Sequence, residues 1–197
     1  MPKGIPLTED ELTRRRHEIC NIAMGLFVEK GFLETSMREI AEAARVGKST
    51  LYDYFPSKDE IMIAFVIEEV RHMKAEAEAI IAQDLSVTEK FHHILRHHLE
   101  TMLANKLLYL RISFESQRLS LESQQRIQMH RHAYQDMLCD LVQEGIQKGE
   151  FRPVNPLLAI RGMFALLTPT VYTSRPTGSP EEMLMEVLDI IFKGMEA

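Results

Sequence analysis

The amino-acid sequence predicts an all-helical chain. Three observations carry that expectation: capping signatures recur at helix-start spacing, apolar residues repeat at intervals of three and four, and no run of alternating residues reads as a strand. The starts are marked by Thr8 with Glu11, Ser36 with Glu39, Ser57 with Glu60, Ser86 with Glu89, and Ser179 with Glu182. In each pair a hydroxyl can accept an orphan backbone N–H while the carboxylate reaches back. Asn155 before Pro156 and Ser179 before Pro180 place proline at the first helical position, where no intrahelical bond needs its missing N–H.

About nine helices follow in chain order. The first, near 8–30, carries Ile19, Ile22, Ala23, Leu26 and Phe27 on one face and closes at Gly31, where a left-handed residue is expected. Two short segments, near 36–43 and 47–54, are joined by about three residues, the layout of a helix-turn-helix. In the first, Ile40, Ala41 and Ala44 face inward, and the small alanines let a second helix cross closely. In the second, Leu51, Tyr54 and Phe55 share one face, leaving Lys48, Ser49, Tyr52 and Asp53 on the other. A long helix near 57–82 is traced by Ile61 and Phe65, with Met62, Val66 and Met73 flanking. Helices near 87–103, 106–119 and 121–148 make the middle of the chain, the last closing at Gly149. The final pair, near 156–174 and 180–195, is more apolar than a single core-facing stripe requires. It reads as a hairpin with one face for its own core and one for a twofold partner.

Composition narrows the function. A chain of 197 residues with 45% apolar and 26% charged content can bury a real core, which excludes disorder. Cys20 and Cys139 lie far apart in helical segments, so reduced core thiols and a cytoplasmic location are expected. The longest apolar candidate, 157–171, contains Arg161, Thr168 and Pro169, and MPKGIPLTED lacks a signal-peptide core, so no membrane partner is expected. The net charge of −6 hides an asymmetry: residues 1–58 carry nine basic and nine acidic side chains, the remainder fourteen and twenty. Charge alone therefore argues only weakly for nucleic acid, and local motifs must carry the case. In FHHILRHHLE, residues 91–100, His93 and His97 have the i, i+4 spacing of a metal clamp. No third ligand is evident, so the reading is a solvated histidine face with no metal and no cofactor. Nucleophile motifs and phosphate loops are lacking too, so an enzyme is not expected.

The stretch ARVGKSTLYDYFPSK, residues 44–58, crowds aromatic and basic groups onto the second short helix. A DNA reader needs residues at a helix start that reach base edges and donors at the flanks that grip phosphates. Lys48, Ser49 and Thr50 sit at such a start, and Tyr52, Tyr54 and Lys58 suit the flanks. The longer stretch TSMREIAEAARVGKSTLYDYFPSK, residues 35–58, resembles the DNA-binding signature of the TetR/AcrR family of one-component regulators. The likeness includes the ending LYDYFPSK and the preceding Gly31 and Phe32.

That resemblance implies a homodimer with a three-helix DNA-binding domain over 1–56 and a ligand-binding and dimerisation domain over 57–197. It implies a transcriptional regulator, most often a repressor, released from a double-stranded DNA operator by a small-molecule effector. By position, Thr35 and Ser36 would cap the first motif helix and touch phosphate. Lys48, Ser49 and Thr50 would face bases and phosphates, and Tyr52, Tyr54 and Lys58 would grip phosphates. The chain departs from the family at Arg45, which stands where a turn glycine is usual. A positive φ there would cost roughly 1 kcal/mol, and two readings stay open: Arg45 projects from the turn to a phosphate or base, or it is a solvated arginine in an ordinary turn.

The middle helices are expected to hold the effector. Met102, Tyr109, Phe114 and Tyr134, with Phe164 from the next helix, are the candidate lining, and Arg118 the candidate cation for an anionic group. Residues 171–195 resemble the C-terminal ends of TetR-like regulators of fatty-acid and sterol catabolism that respond to acyl-CoA thioesters. An acyl-CoA or another large hydrophobic anion is accordingly the leading candidate effector. Two alternatives stay open: a helical protein-interaction adaptor, and an activator with no small-molecule effector.

Overall fold

A computed structural model describes residues 8–195. Among them lie nine α-helices and no strand: α1 (Glu9–Lys30), α2 (Met37–Ala43), α3 (Lys48–Tyr54), α4 (Lys58–Ile81), α5 (Val87–Ala104), α6 (Lys106–Ser116), α7 (Leu121–Gln147), α8 (Pro156–Tyr172) and α9 (Pro180–Lys193). The all-α expectation holds, and the punctuation is what produces it. Reciprocal capping boxes form at Thr8–Glu11, Ser36–Glu39, Ser86–Glu89 and Ser179–Glu182. At Ser57 only one arm is made. Glu60 N–H donates to Ser57 Oγ (3.2 Å), while its carboxylate is taken by both Nη atoms of Arg126 (2.6 and 3.0 Å).

The described residues fall into two compact units: 8–69 with Leu110–Ile127, and Val70–Tyr109 with 128–195. In the first unit α2 packs on α1 and on α3. Ile19, Ala23, Ile40, Leu51 and Ile61 are fully sealed from solvent, and Phe27 meets Phe32 edge to face at 4.9 Å. Two arginines of α1 tie down the ends of the short helices. Arg15 Nη2 donates to Ala44 O (3.0 Å), and Arg16 Nη1 donates to Tyr54 O (2.5 Å) with its guanidinium over the Phe55 ring. Both place a cation at a helix C-terminus, where unsatisfied carbonyls concentrate negative charge. Cys20 is a buried free thiol whose Sγ–H points at Ile61 O, and burial pushes it up to about 12, so it is an inert core group.

In the second unit α8 packs on α9, and both pack on α5. Phe91 is fully buried beside Phe151 and Phe192, with ring centroids 6.3 and 6.5 Å away. Gly145 permits this arrangement: a Cβ there would lie 2.4 Å from the Phe151 ring. The chain then turns at Gly149, whose φ is +76°. Glu150 accepts from the N–H groups of Val87 and Thr88 (both 3.1 Å) and so caps α5 from a distant part of the sequence. On α8 and α9, Ile160, Met163, Leu167, Leu184 and Leu188 are buried, whereas Leu158 (70% exposed), Leu166 and Ile190 (57%) face outward. The hairpin therefore has two apolar faces. No described helix is long and apolar enough to cross a membrane.

Candidate nucleic-acid interface

The turn between α2 and α3 is set by hydrogen bonds that close α2. Val46 N–H reaches Ala41 O (3.0 Å) and Arg45 N–H reaches Glu42 O (3.2 Å), the paired bonds of a left-handed helix stop. They require residue 45 to be left-handed, and Arg45 has φ +54°, the one non-glycine residue with positive φ among those described. Its side chain is exposed. Gly47 then starts α3 without any side-chain cap. Lys48, Ser49 and Thr50 are all exposed, and Lys48 Nζ lies 6.0 Å from the centroid of the exposed Tyr52 ring. Arg45, Lys48, Ser49, Thr50 and Tyr52 thus make up an accessible surface on the turn and one helix.

The other candidates are placed differently. Thr35, Ser36, Tyr52 and Lys58 line a common open cleft of about 370 Å³ with Leu33, Met37 and Pro56. Within it, Thr35 is 1% exposed and its hydroxyl donates to Gly31 O (2.8 Å). Lys58 Nζ donates to Phe32 O (2.6 Å), Leu33 O (3.1 Å) and Thr35 O (3.1 Å), and sits over the Phe32 ring. An ammonium has three donors, and all three go to main-chain carbonyls. Ser36 Oγ is committed to Glu39, whose carboxyl is pushed down to about 2, first by its bond to Lys30 and then by the Ser36 N–H. Tyr54 is half-buried, and its carbonyl is the acceptor for Arg16. The sequence did not reveal Arg15 and Arg16 as supports, because their partners are backbone carbonyls, nor the bond of Glu39 to Lys30, which lies on another helix.

The effector candidates divide between the units. Tyr134 is buried in the second core, Met102 and Phe164 are half-buried against it, and the Tyr134 and Phe164 rings are 6.2 Å apart. Tyr109, near the start of α6, is half-buried in the same unit. Phe114 (64% exposed) and Arg118, which pairs with Glu115 at 3.3 Å, belong to the first unit. His93 is exposed and His97 half-buried. The neighbouring His98, which sequence reading passed over, turns inward: its ring lies 5.0 Å from Phe164, and burial holds it down to about 4.

A three-helix head whose third helix offers an open, basic first turn defines a helix-turn-helix DNA-binding regulator. The chain belongs to the tetR family of bacterial regulatory proteins: that family's N-terminal model matches residues 19–65, and the model of the tetracyclin repressor-like C-terminal domain matches residues 84–195. It is 26% identical over 157 residues to a fatty acid metabolism regulator protein of Bacillus subtilis, covering 79% of this chain and 81% of that protein. A TetR/AcrR-family regulator from Thermobifida fusca is 28% identical, with a TM-score of 0.75 over 92% of this chain and 98% of that one. FadR of Bacillus subtilis, crystallised with stearoyl-CoA, shares the fold with a TM-score of 0.80 at 24% identity, covering 90% of this chain and 98% of its own.

Proposed function

We propose that the protein is a cytoplasmic, dimeric, ligand-responsive repressor without enzymatic activity, in which residues 1–56 read DNA and 57–197 bind the effector and the second copy. The observation that carries the DNA-binding part is the accessible group Arg45, Lys48, Ser49, Thr50 and Tyr52 on the turn and α3. Lys48, Ser49 and Thr50 meet base edges and phosphates, while Arg45 and Tyr52 meet phosphates at the flanks. Thr35, Ser36, Tyr54 and Lys58 work one step back, fixing the backbone that presents those groups. The outward apolar residues of α8 and α9 supply the dimer face, which sets two α3 helices on successive major grooves about 34–36 Å apart.

Similarity to the fatty acid metabolism regulator supports an acyl-CoA as the effector. The ligand acts by preferring the arrangement of the dimer that does not fit the operator, and it shifts the population by that differential affinity. A gel shift with the DNA flanking the protein's own coding region tests the reading. A specific complex that weakens steeply with salt and dissociates on adding a long-chain acyl-CoA is expected. Salt-independent or absent binding would reject the DNA-reading assignment.

A further inference from the structure

The inward-turned His98 has no role in the DNA-binding reading. Its Nδ1 is sealed from solvent and has no hydrogen-bond partner among the described residues. His98 also lines a void too small to admit a water molecule, together with Met73, Ala77, Ile80, Ile94, His97 and Tyr134. An unmade hydrogen bond at a buried polar atom costs about 1–3 kcal/mol, and a gap this tight leaves no water to offset it. Burial also keeps the ring uncharged, so it offers one N–H and one lone pair. Four residues along α7 from Ile127, and one turn before Tyr134, Arg131 lies on the stripe that also carries Leu138. It is half-buried and makes no ion pair or hydrogen bond among the described residues. An apolar core thus holds an unsatisfied neutral nitrogen, with an unpaired guanidinium along the same face of the neighbouring helix.

A saturated hydrocarbon entering this core would leave His98 as unpaired as before. A chain bearing a hydroxyl or a carbonyl would satisfy it, and the uncharged ring suits a neutral oxygen better than a carboxylate. We infer that the effector is an acyl compound whose chain carries a hydroxyl or keto oxygen hydrogen-bonded by His98, with Arg131 receiving its anionic end. This rests on the acyl-CoA reading above and narrows it to an oxidised chain. The anion is either a coenzyme A phosphate or a free carboxylate, and both present the same chemistry to Arg131. Met73, unbranched and flexible, is the wall that gives way to admit the chain.

Titration calorimetry on the full-length protein tests this with ten-carbon CoA thioesters, unsubstituted, 3-hydroxy, 3-oxo and 10-hydroxy, and with free 3-hydroxydecanoic acid. At least one oxygenated thioester should bind about tenfold more tightly than decanoyl-CoA, the value of one good hydrogen bond. His98→Phe should erase that lead while still binding decanoyl-CoA, and Arg131→Gln should weaken every ligand that binds. Equal affinity for all four thioesters in the wild type, or a lead that survives His98→Phe, overturns the inference and leaves the acyl-CoA reading standing. If neither a thioester nor the free acid binds, both readings fail, whereas tight binding of the free acid alone removes the acyl-CoA reading and assigns the anion to a carboxylate. Should His98→Phe not fold, the wild-type ranking alone decides.

Discussion

The two compact units weight the same forces differently. In the first, cationic side chains end on main-chain carbonyls: Arg15 on Ala44, Arg16 on Tyr54, and Lys58 on Phe32, Leu33 and Thr35. In the second, Phe91, Phe151 and Phe192 fill the space against Gly145, and charged anchors stand only at the rim of that cluster, Arg152 on Gly194 O and Glu150 on the Val87 and Thr88 N–H groups. A directional hydrogen bond fixes position to a fraction of an ångström and lapses when displaced. Volume-filling contacts fix composition and size while tolerating shifts. On the proposed function, a head presenting Lys48, Ser49 and Thr50 in one register would be served by the former, and a core parting for a ligand by the latter.

The largest effect should come from breaking the apolar side of this comparison. Phe151→Ala removes a 2% exposed ring packed between Gly145 and Phe192. Chemical denaturation should show a loss of about 3–5 kcal/mol. A loss below about 1 kcal/mol would mean that the aromatic cluster is not what holds the second unit together.

Next comes the polar side. Lys58→Met keeps the stem length and deletes three bonds to carbonyls, with an expected cost of about 2–3 kcal/mol, and operator affinity should fall with it. The sharper readout is the salt dependence of binding. A support contributes no phosphate contact, so the slope of log affinity against log salt should be unchanged in Lys58→Met and reduced by about one in Lys48→Met. A reduced slope in Lys58→Met would show that its ammonium leaves the carbonyls for a phosphate, and the division between anchors and readers would collapse.

The same contrast explains what was legible in the sequence. Capping pairs such as Ser36–Glu39 act over three residues, so spacing alone reveals them. The exposed group from Arg45 to Tyr52 was readable as one surface because one short helix carries most of it. For Lys58 the sequence suggested a phosphate grip, and its bonds to backbone carbonyls 23 to 26 residues away are ones that no side-chain pattern announces. Glu60 looked like the second half of a capping box, and its diversion to Arg126 depends on a partner 66 residues on. His98 was hidden among polar neighbours: within FHHILRHHLE nothing in composition separates the exposed His93 from a histidine whose nitrogen is sealed. Local, directional devices write themselves into sequence, whereas the shape of a core appears only when distant helices meet.

A smaller effect, of opposite sign, should follow from relaxing the turn. Arg45 holds a left-handed φ that costs a non-glycine residue roughly 1–2 kcal/mol, while glycine there loses more entropy on folding. Arg45→Gly should therefore stabilise the fold by up to about 1 kcal/mol. If the arginine is kept for DNA, the same variant should bind operator more weakly and lower the salt slope by about one. A gain in stability with unchanged affinity and slope would leave Arg45 as strain with no contact to justify it.

The smallest expected effect lies in the acid limb of stability. Glu39 joins the last turn of α1, through Lys30, to the first turn of α2, through Ser36, and its carboxyl is held from 4.5 down to about 2. Because the folded state favours the ionised form, the link contributes fully above about pH 4.5 and is lost as pH falls toward about 2. Thermal melts of the wild type and Glu39→Gln across that window should therefore converge as pH is lowered, the wild type losing more than the variant. Glu11, Glu89 and Glu182, also held down by their capping hydroxyls and N–H groups, are common to both proteins and cancel in the difference. The link is solvent-exposed, so added salt should shrink the difference further. Parallel acid limbs for the two proteins would mean that Lys30 and Glu39 hold each other without holding the two helices together, leaving the head's positioning to the carbonyl-bound arginines and Lys58.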